Sequence, residues 1–381
     1  MFEVIKPHNL SSINSRLLFF ESKITLLGFG VLLGTILLSL AALYVTPTTR
    51  TLYHGELFQH LSTVAFSPEV PSYMRVRILT PALSQLVGLN GENYIFIPII
   101  MGMLLLTSVY CIFRMENFSP FIALNVAALV AFSSPIITML KFPGYVDTTT
   151  YLMLLWSVYF ARLNKYWWVI FLSLALLNHE LSLFMTPFIW LTANRKATIG
   201  RMSINAFLVL LALVPFLFYR RYIESIRPEF LTTMEYFDPE MLKAVFFTVQ
   251  RFLLTGIFMS FRAFWAIPIL AIVFALKAKE TKWVMYILSL LGLILLQIVF
   301  ATDTSRLFGM AFIMMVVAVF YLNDKMDESA LSNLLSGLFV VNLLLPNFVV
   351  MPHGLAGCSG VPWRLLLDYL NIIPFGDLRW I

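Results

Sequence analysis

Apolar runs of about 20 residues, long enough to carry an α-helix across a bilayer, recur along this chain between short polar interruptions. The pattern predicts helices near residues 24–46, 94–113, 119–140, 147–161, 166–178, 181–194, 203–219, 263–276, 283–301, 305–323 and 329–351, eleven spans in all, several of them short. These runs far exceed the roughly 10-residue alternating segments of an outer-membrane barrel, so strands are not expected. Residues 166–194 admit two readings. One tilted span would bury His179 and Glu180 near the midplane and invert everything after it. Two short half-helices meeting at "NHE" (Asn178 to Glu180) are preferred, because short helices leave a cavity where polar groups are hydrated. Three connecting segments are long, at 47–93, 220–262 and 352–381. The middle one carries "PEMLKAVFFTVQRFLL", whose helical spacing around Glu240, Lys243 and Arg251 suits a helix lying in the interface.

Composition sharpens this picture. Sixty per cent hydrophobic residues, 12% charged residues and a mean hydropathy of +0.86 exclude an ordinary soluble domain. No stretch is long enough for a separate soluble unit, so residues 1–381 read as a single polytopic, all-α membrane domain. The first apolar run, Ile24 to Thr46, is too long for the h-region of a cleavable signal. Cys111 lies in a predicted span and Cys358 in the tail, which makes a disulfide between them improbable.

Charge then gives the expected orientation. The basic linkers "RLNK" (Arg162 to Lys165), "NRKATIGR" (Asn194 to Arg201) and "KAKETK" (Lys277 to Lys282) fall on one side with Lys6, Arg16 and Lys23. The positive-inside rule makes that side cytoplasmic. The outer side holds only two lysines, Lys141 and Lys243, but many arginines, among them Arg75, Arg77, Arg262 and Arg306. Arginine forks onto phosphate oxygens better than lysine does.

On the same threading, the polar interruptions converge on the outer face. Ionisable groups at membrane depth are costly and normally work in a hydrated cavity. In "YHGELFQHLS" Glu56 is flanked by His54 and His60, and Arg75 and Arg77 alternate in "YMRVRILTPAL", where an extended segment would aim both the same way. Glu56 as a solvated loop residue and the arginines as interfacial anchors are the plainer alternatives. In "KFPGYVDTTTYL" Asp147 opens a span as a helix N-cap or as a site carboxylate, and the Pro143-Gly144 turn would bring Lys141 near it. His179 and Glu180, adjacent amid apolar residues, must be paired or hydrated and can act as a base, orient a hydroxyl, or bridge structurally. Glu180 sits deepest, where desolvation favours its neutral form. In "TDTSR" Asp303 and Arg306 form a local i, i+3 pair, or bind a sugar hydroxyl and a phosphate. There is no phosphate-binding glycine loop, GxSxG, HExxH or CxxC.

Together these segments resemble the GT-C superfamily of polytopic glycosyltransferases, in particular its bacterial members. The resemblance rests on "YHGELFQHLS" and "YMRVRILTPAL", which stand where that family carries an acidic element followed by an arginine-rich "RIL-P" segment, with looser agreement at "GYVD", "NHE" and "DTSR". It departs at His54, where the family pattern has aspartate and the nearest acid is Glu56. It implies transfer of a sugar from a polyprenyl-phosphate donor to a glycan, lipid or protein acceptor outside the bacterial inner membrane, usually with inversion and without an obligatory cofactor. Glu56, Asp147, Glu180, His179 and His54 are then the candidate catalytic set. Arg75, Arg77, Lys141, Asp303 and Arg306 are candidates for donor and phosphate binding. A divalent cation at His179, Glu180 and Asp147 remains an option. A lipid-pyrophosphate-glycan polymerase or ligase, or a transporter, are the competing classes. A transporter should show polar groups on both sides of the midplane and paired broken helices.

Overall fold

A computed structural model describes residues 7–45, 47, 50–67, 69–195, 197–226, 239–240, 243, 253–297, 304–351, 354–357 and 378–379. It is nearly all helical. The interfacial helix expected around Glu240 to Arg251 and the tail cysteine Cys358 lie outside the described residues for the most part and entirely, respectively.

The predicted apolar stretches are helical over most of their described residues. Helix α1 (Pro7–Lys23) precedes α2 (Leu26–Val45), and α3 (His54–Thr63), α4 (Ser72–Arg75) and α5 (Leu79–Leu86) fill the first long segment. A 3₁₀ turn, Gly91–Ile95, leads into α6 (Phe96–Met115). Then follow α7 (Pro120–Ala131), α8 (Ser134–Lys141), α9 (Asp147–Arg162), α10 (Trp167–Asn178), a 3₁₀ turn Glu180–Met185, α11 (Thr186–Ala193) and α12 (Ile199–Ile226). The last third holds α13 (Leu253–Phe261), a 3₁₀ turn Arg262–Trp265, α14 (Ala266–Lys277), α15 (Thr281–Gln297), α16 (Thr304–Leu307), α17 (Phe312–Asn323) and α18 (Glu328–Leu344). Among the described residues, four helical runs are long and apolar enough to cross a membrane: Leu26–Val45, Gly91–Met115, Ile199–Ile226 and Leu253–Lys277. A fifth crossing arises if α7 and α8, bent by 43° at their junction, count as one. Pro135 explains that bend, because it lacks the N–H that a continuous helix would need there.

Close backbone approach sets the packing of α2 on α6. Gly30 and Gly34 form a GxxxG pair, and a Cβ on Gly34 would stand 2.7 Å from Thr107 Oγ1 and 2.9 Å from Met103 O. Small residues allow such contact where burial of apolar surface gives helices in lipid little drive to associate. Thr107 Oγ1 donates to Gly30 O at 3.2 Å across the same seam. The interior runs through α6, α7, α9, α10 and α17, and every residue from Ala131 to Thr150 is buried. Helix α12 is the opposite case: most of its apolar side chains, such as Phe207, Leu210 and Phe218, face outward.

The stretch 166–194 makes two passes. His179 breaks the helix with φ −156° and ψ 120°. Helix α10 runs back along α9, and α11 then returns along α9 toward the "RLNK" end. The Arg201 guanidinium donates to Asn164 O at 3.1 Å, so "NRKATIGR" and "RLNK" share one end of the bundle. Lys325 and Glu280, 2.5 Å apart, join "KAKETK" to the 324–327 turn. Two features differ from expectation. The last helix ends at Leu344 rather than near 351, because Leu345 precedes Pro346 and takes an extended ψ of 142°. Strands, which were not expected, follow it: β1 (Phe348–Met351) pairs antiparallel with β2 (Gly354–Gly357), and β2 parallel with β3 (Leu378–Arg379). The β-branched pair Val349-Val350 favours this once the proline has ended the helix.

Candidate active site

At the end of the bundle away from the basic loops, two glycines bring "YHGELFQH" onto "KFPGYVD". Gly144 has φ +97°, a conformation open to glycine and strained for other residues. A Cβ on Gly55 would lie 2.5 Å from Pro143 O, and one on Gly144 would lie 2.9 Å from Gly55 Cα. The start of α3 therefore rests directly on the turn that precedes Asp147.

Asn178 fixes the start of α9 from the other side. Its Nδ2 donates to Val146 O and to Thr150 Oγ1, both at 2.7 Å. Its Oδ1 accepts from Thr80 N at 3.0 Å and from Thr80 Oγ1 at 2.6 Å. The amide thus has both ends satisfied within the interior and ties α5, α9 and α10 at one point.

Around this frame a cluster of charged and titratable side chains meets. The Arg77 guanidinium grips Glu180 with two bonds, Nε to Oε2 at 2.9 Å and a second, shorter one from Nη2 to Oε1. His179 is 1% exposed. Its Nδ1 accepts from Leu181 N at 3.3 Å, which leaves the ring proton on Nε2, and Nε2 faces Asp147 Oδ1 at 3.8 Å. Arg306 Nη1 stands 3.9 Å from Asp147 Oδ2, with its guanidinium carbon 4.9 Å from the centre of the Tyr145 ring. Both of these Asp147 spacings are longer than a hydrogen bond. Tyr151 donates to Arg306 O at 2.7 Å, and it reaches that carbonyl because Gly309 leaves room for its ring.

His54 completes the group, edge-on to Tyr145 with ring centres 5.7 Å apart. Burial, then the neighbouring charges of Arg306 and Arg77, push its pKa down to about 3, so the imidazole is neutral. Burial works against the charge on Arg77, but the adjoining Glu180 carboxylate outweighs it and raises the Arg77 pKa.

Several expectations need revising. Glu56 does not join this group. It is exposed and lines an open cleft of about 790 Å³ with Arg50, Gln59, His60 and Glu92. The reason is helical geometry: residues two apart on α3 point about 200° apart, so with His54 turned inward Glu56 faces away. Arg75 and Arg77 are not alternating residues of an extended segment, because Arg75 closes the short helix α4. Arg77 goes to Glu180. Arg75 is fully buried, and its carbonyl accepts from Tyr219 Oη of α12 at 3.1 Å. Glu180 is not a neutral acid partnered by His179 alone, since a guanidinium fork binds a carboxylate. Asp147 is the first residue of α9 rather than its N-cap, which is Val146. Lys141 is buried at the end of α8, across the turn from Asp147. Asp303 lies outside the described residues, so its pairing with Arg306 does too. Among the described residues no three His, Cys, Asp or Glu side chains are grouped so as to hold a metal ion, and Arg77 occupies both oxygens of the Glu180 that such a site would use.

Two members of the group carried no role in the sequence. Tyr151 lies one turn after Asp147, and that i, i+4 spacing was its only signal. Thr80 gave none, since its partner Asn178 is 98 residues away. No family model, curated protein or solved structure matches the chain.

Proposed function

We propose that the chain is a membrane glycosyltransferase of the GT-C type, an enzyme that moves a sugar from a polyprenyl-phosphate donor to an extracytoplasmic acceptor, with inversion. On this reading the eleven apolar stretches are one polytopic domain in the bacterial inner membrane. The N-terminus and basic loops are cytoplasmic and the Asp147 group faces outward. The observation that carries it is the buried constellation at one end of the bundle, where Asp147 lies between His179 and Arg306 and Arg77 holds Glu180 beside them.

The chemistry follows from those groups. The acceptor hydroxyl attacks the anomeric carbon, and the bond from that carbon to the lipid-phosphate oxygen breaks. A carboxylate takes the hydroxyl proton. Polyprenyl phosphate leaves with the bonding pair and needs its charge held rather than a proton. Asp147 is the base favoured by position, because Glu180 is committed to Arg77 and Glu56 faces another cleft. His179 Nε2 faces Asp147 from one side, and Arg306 is the guanidinium assigned to the phosphate.

The reading is tested by extracting lipid-linked sugars from a strain lacking the protein, complemented with wild type or with Asp147→Asn. The uncomplemented and Asp147→Asn strains should both accumulate a polyprenyl-phosphate sugar that wild type clears, since loss of a general base costs about 10²–10⁴ in rate. An unchanged lipid-linked sugar pool in both would overturn the proposal.

A further inference from the structure

The basic end of the bundle encloses a second cavity, of about 370 Å³, that the transferase reading leaves unused. This volume is within the roughly 300–1,000 Å³ range of organic-ligand sites. Its floor is apolar and belongs to the interior, with Leu155 and Val158 from α9 and Val316 and Val317 from α17. Its mouth is polar and carries Arg162, Asn164, Arg195 and Asp324.

Both guanidiniums are held on aromatic faces. Arg195 lies 4.1 Å from the centre of the Trp283 ring, and Arg162 lies 4.0 Å from that of Phe320. Arg162 Nη2 donates to Glu116 at 2.8 Å. Its Nη1 is buried with no hydrogen-bond partner among the described residues, a costly state for a guanidinium donor. The carboxylates nearby do not cancel this charge. Glu116 is engaged by Arg162 and Glu280 by Lys325, which leaves Asp324 as the one acid on the cavity wall among the described residues. An adjoining cleft shares Arg195, Trp283 and Tyr286 and adds Lys279 and Lys282.

An apolar shaft capped by two arginines and rimmed by a tryptophan matches an amphiphile with an anionic head. Tryptophan is enriched at the headgroup level of a bilayer, and arginine forks onto phosphate oxygens. We propose that this cavity binds an anionic phospholipid of the adjoining leaflet, with one acyl chain in the shaft and the phosphate on Arg162 and Arg195. The assignment is independent of the transferase reading.

The test uses the full chain in detergent and reads the thermal unfolding midpoint against added phosphatidylglycerol, phosphatidylcholine or glycerol 3-phosphate. Phosphatidylglycerol should raise the midpoint beyond phosphatidylcholine, and glycerol 3-phosphate should leave it unmoved. Arg195→Gln, at an exposed position, should weaken the apparent phosphatidylglycerol affinity by roughly tenfold, the loss of one charge-assisted bond. Val317→Phe, which fills the shaft, should abolish the phosphatidylglycerol-specific shift. Equal shifts with both phospholipids overturn the proposal. So does an effect reproduced by glycerol 3-phosphate, or a full wild-type response in both variants.

Discussion

His54 shows how much one position decides. It occupies the place where the GT-C resemblance has an acid, yet it packs on Tyr145 near two guanidiniums and stays neutral. Its pKa is about 3 in the folded protein against 6.5 for the free side chain. Between those values the unfolded chain binds a proton that the folded one does not, so stability falls as pH drops from about 6.5 toward 3. A single group of this kind sets a slope of up to about 1.4 kcal/mol per pH unit. The unfolding midpoint of the wild type should therefore fall more steeply from pH 6.5 to 4.5 than that of His54→Asn. Parallel curves would show that the imidazole is not excluded from protonation. Arg77 and Glu180 are the converse case, a buried guanidinium and a half-buried carboxylate, where removing the carboxylate would leave the buried charge unpaired.

The elements matter chiefly where they touch. Helix α3 and the Pro143-Gly144 turn are far apart in sequence but meet backbone to backbone, so the site depends on two glycines. Gly144→Ala imposes a side chain on φ +97° and drives its Cβ against Gly55. Strain of about 1–3 kcal/mol and overpacking of similar size should each appear as lost stability. A lowered unfolding midpoint is the expected measurement, with a larger loss than for Gly200→Ala, whose Cβ would meet nothing within 4 Å. Equal midpoints for the two variants would remove the glycine contact as a constraint. The break at His179 works on the same scale, ending α10 so that α11 can reverse and Glu180 can reach Arg77.

For the whole molecule, the separation of its two ends is the organising fact. Basic loops gather around Asn164, Arg195 and Glu280, and the ionisable group gathers around Asp147. If the chain crosses a bilayer as proposed, single cysteines at Thr198 and Asn90, both exposed and at opposite ends, should label from opposite sides in sealed vesicles. Labelling of both from one side would refute the threading.

Hydropathy and length located most of the long apolar helices, because covering backbone polar groups in an apolar setting leaves helix as the available solution for such runs. They gave no sign of the less apolar helices α1, α3, α4 and α5. Polar interruptions between those runs singled out Asp147, His179, Glu180 and Arg306, since an ionisable side chain there stands out by its cost. The first long connecting segment added Arg75 and Arg77 together with Glu56 and His54. Sequence could not say which of these would touch. That Arg77 takes Glu180, that His54 turns inward and Glu56 outward, and that Thr80 and Asn178 lock the start of α9 are tertiary facts. They depend on contacts about 100 residues apart and on helix rotations of a fraction of a turn, to which a one-dimensional pattern of apolar and polar positions is blind. The early end of α18 was legible at Pro346, whereas the strands beyond it needed partners that only the folded chain brings alongside.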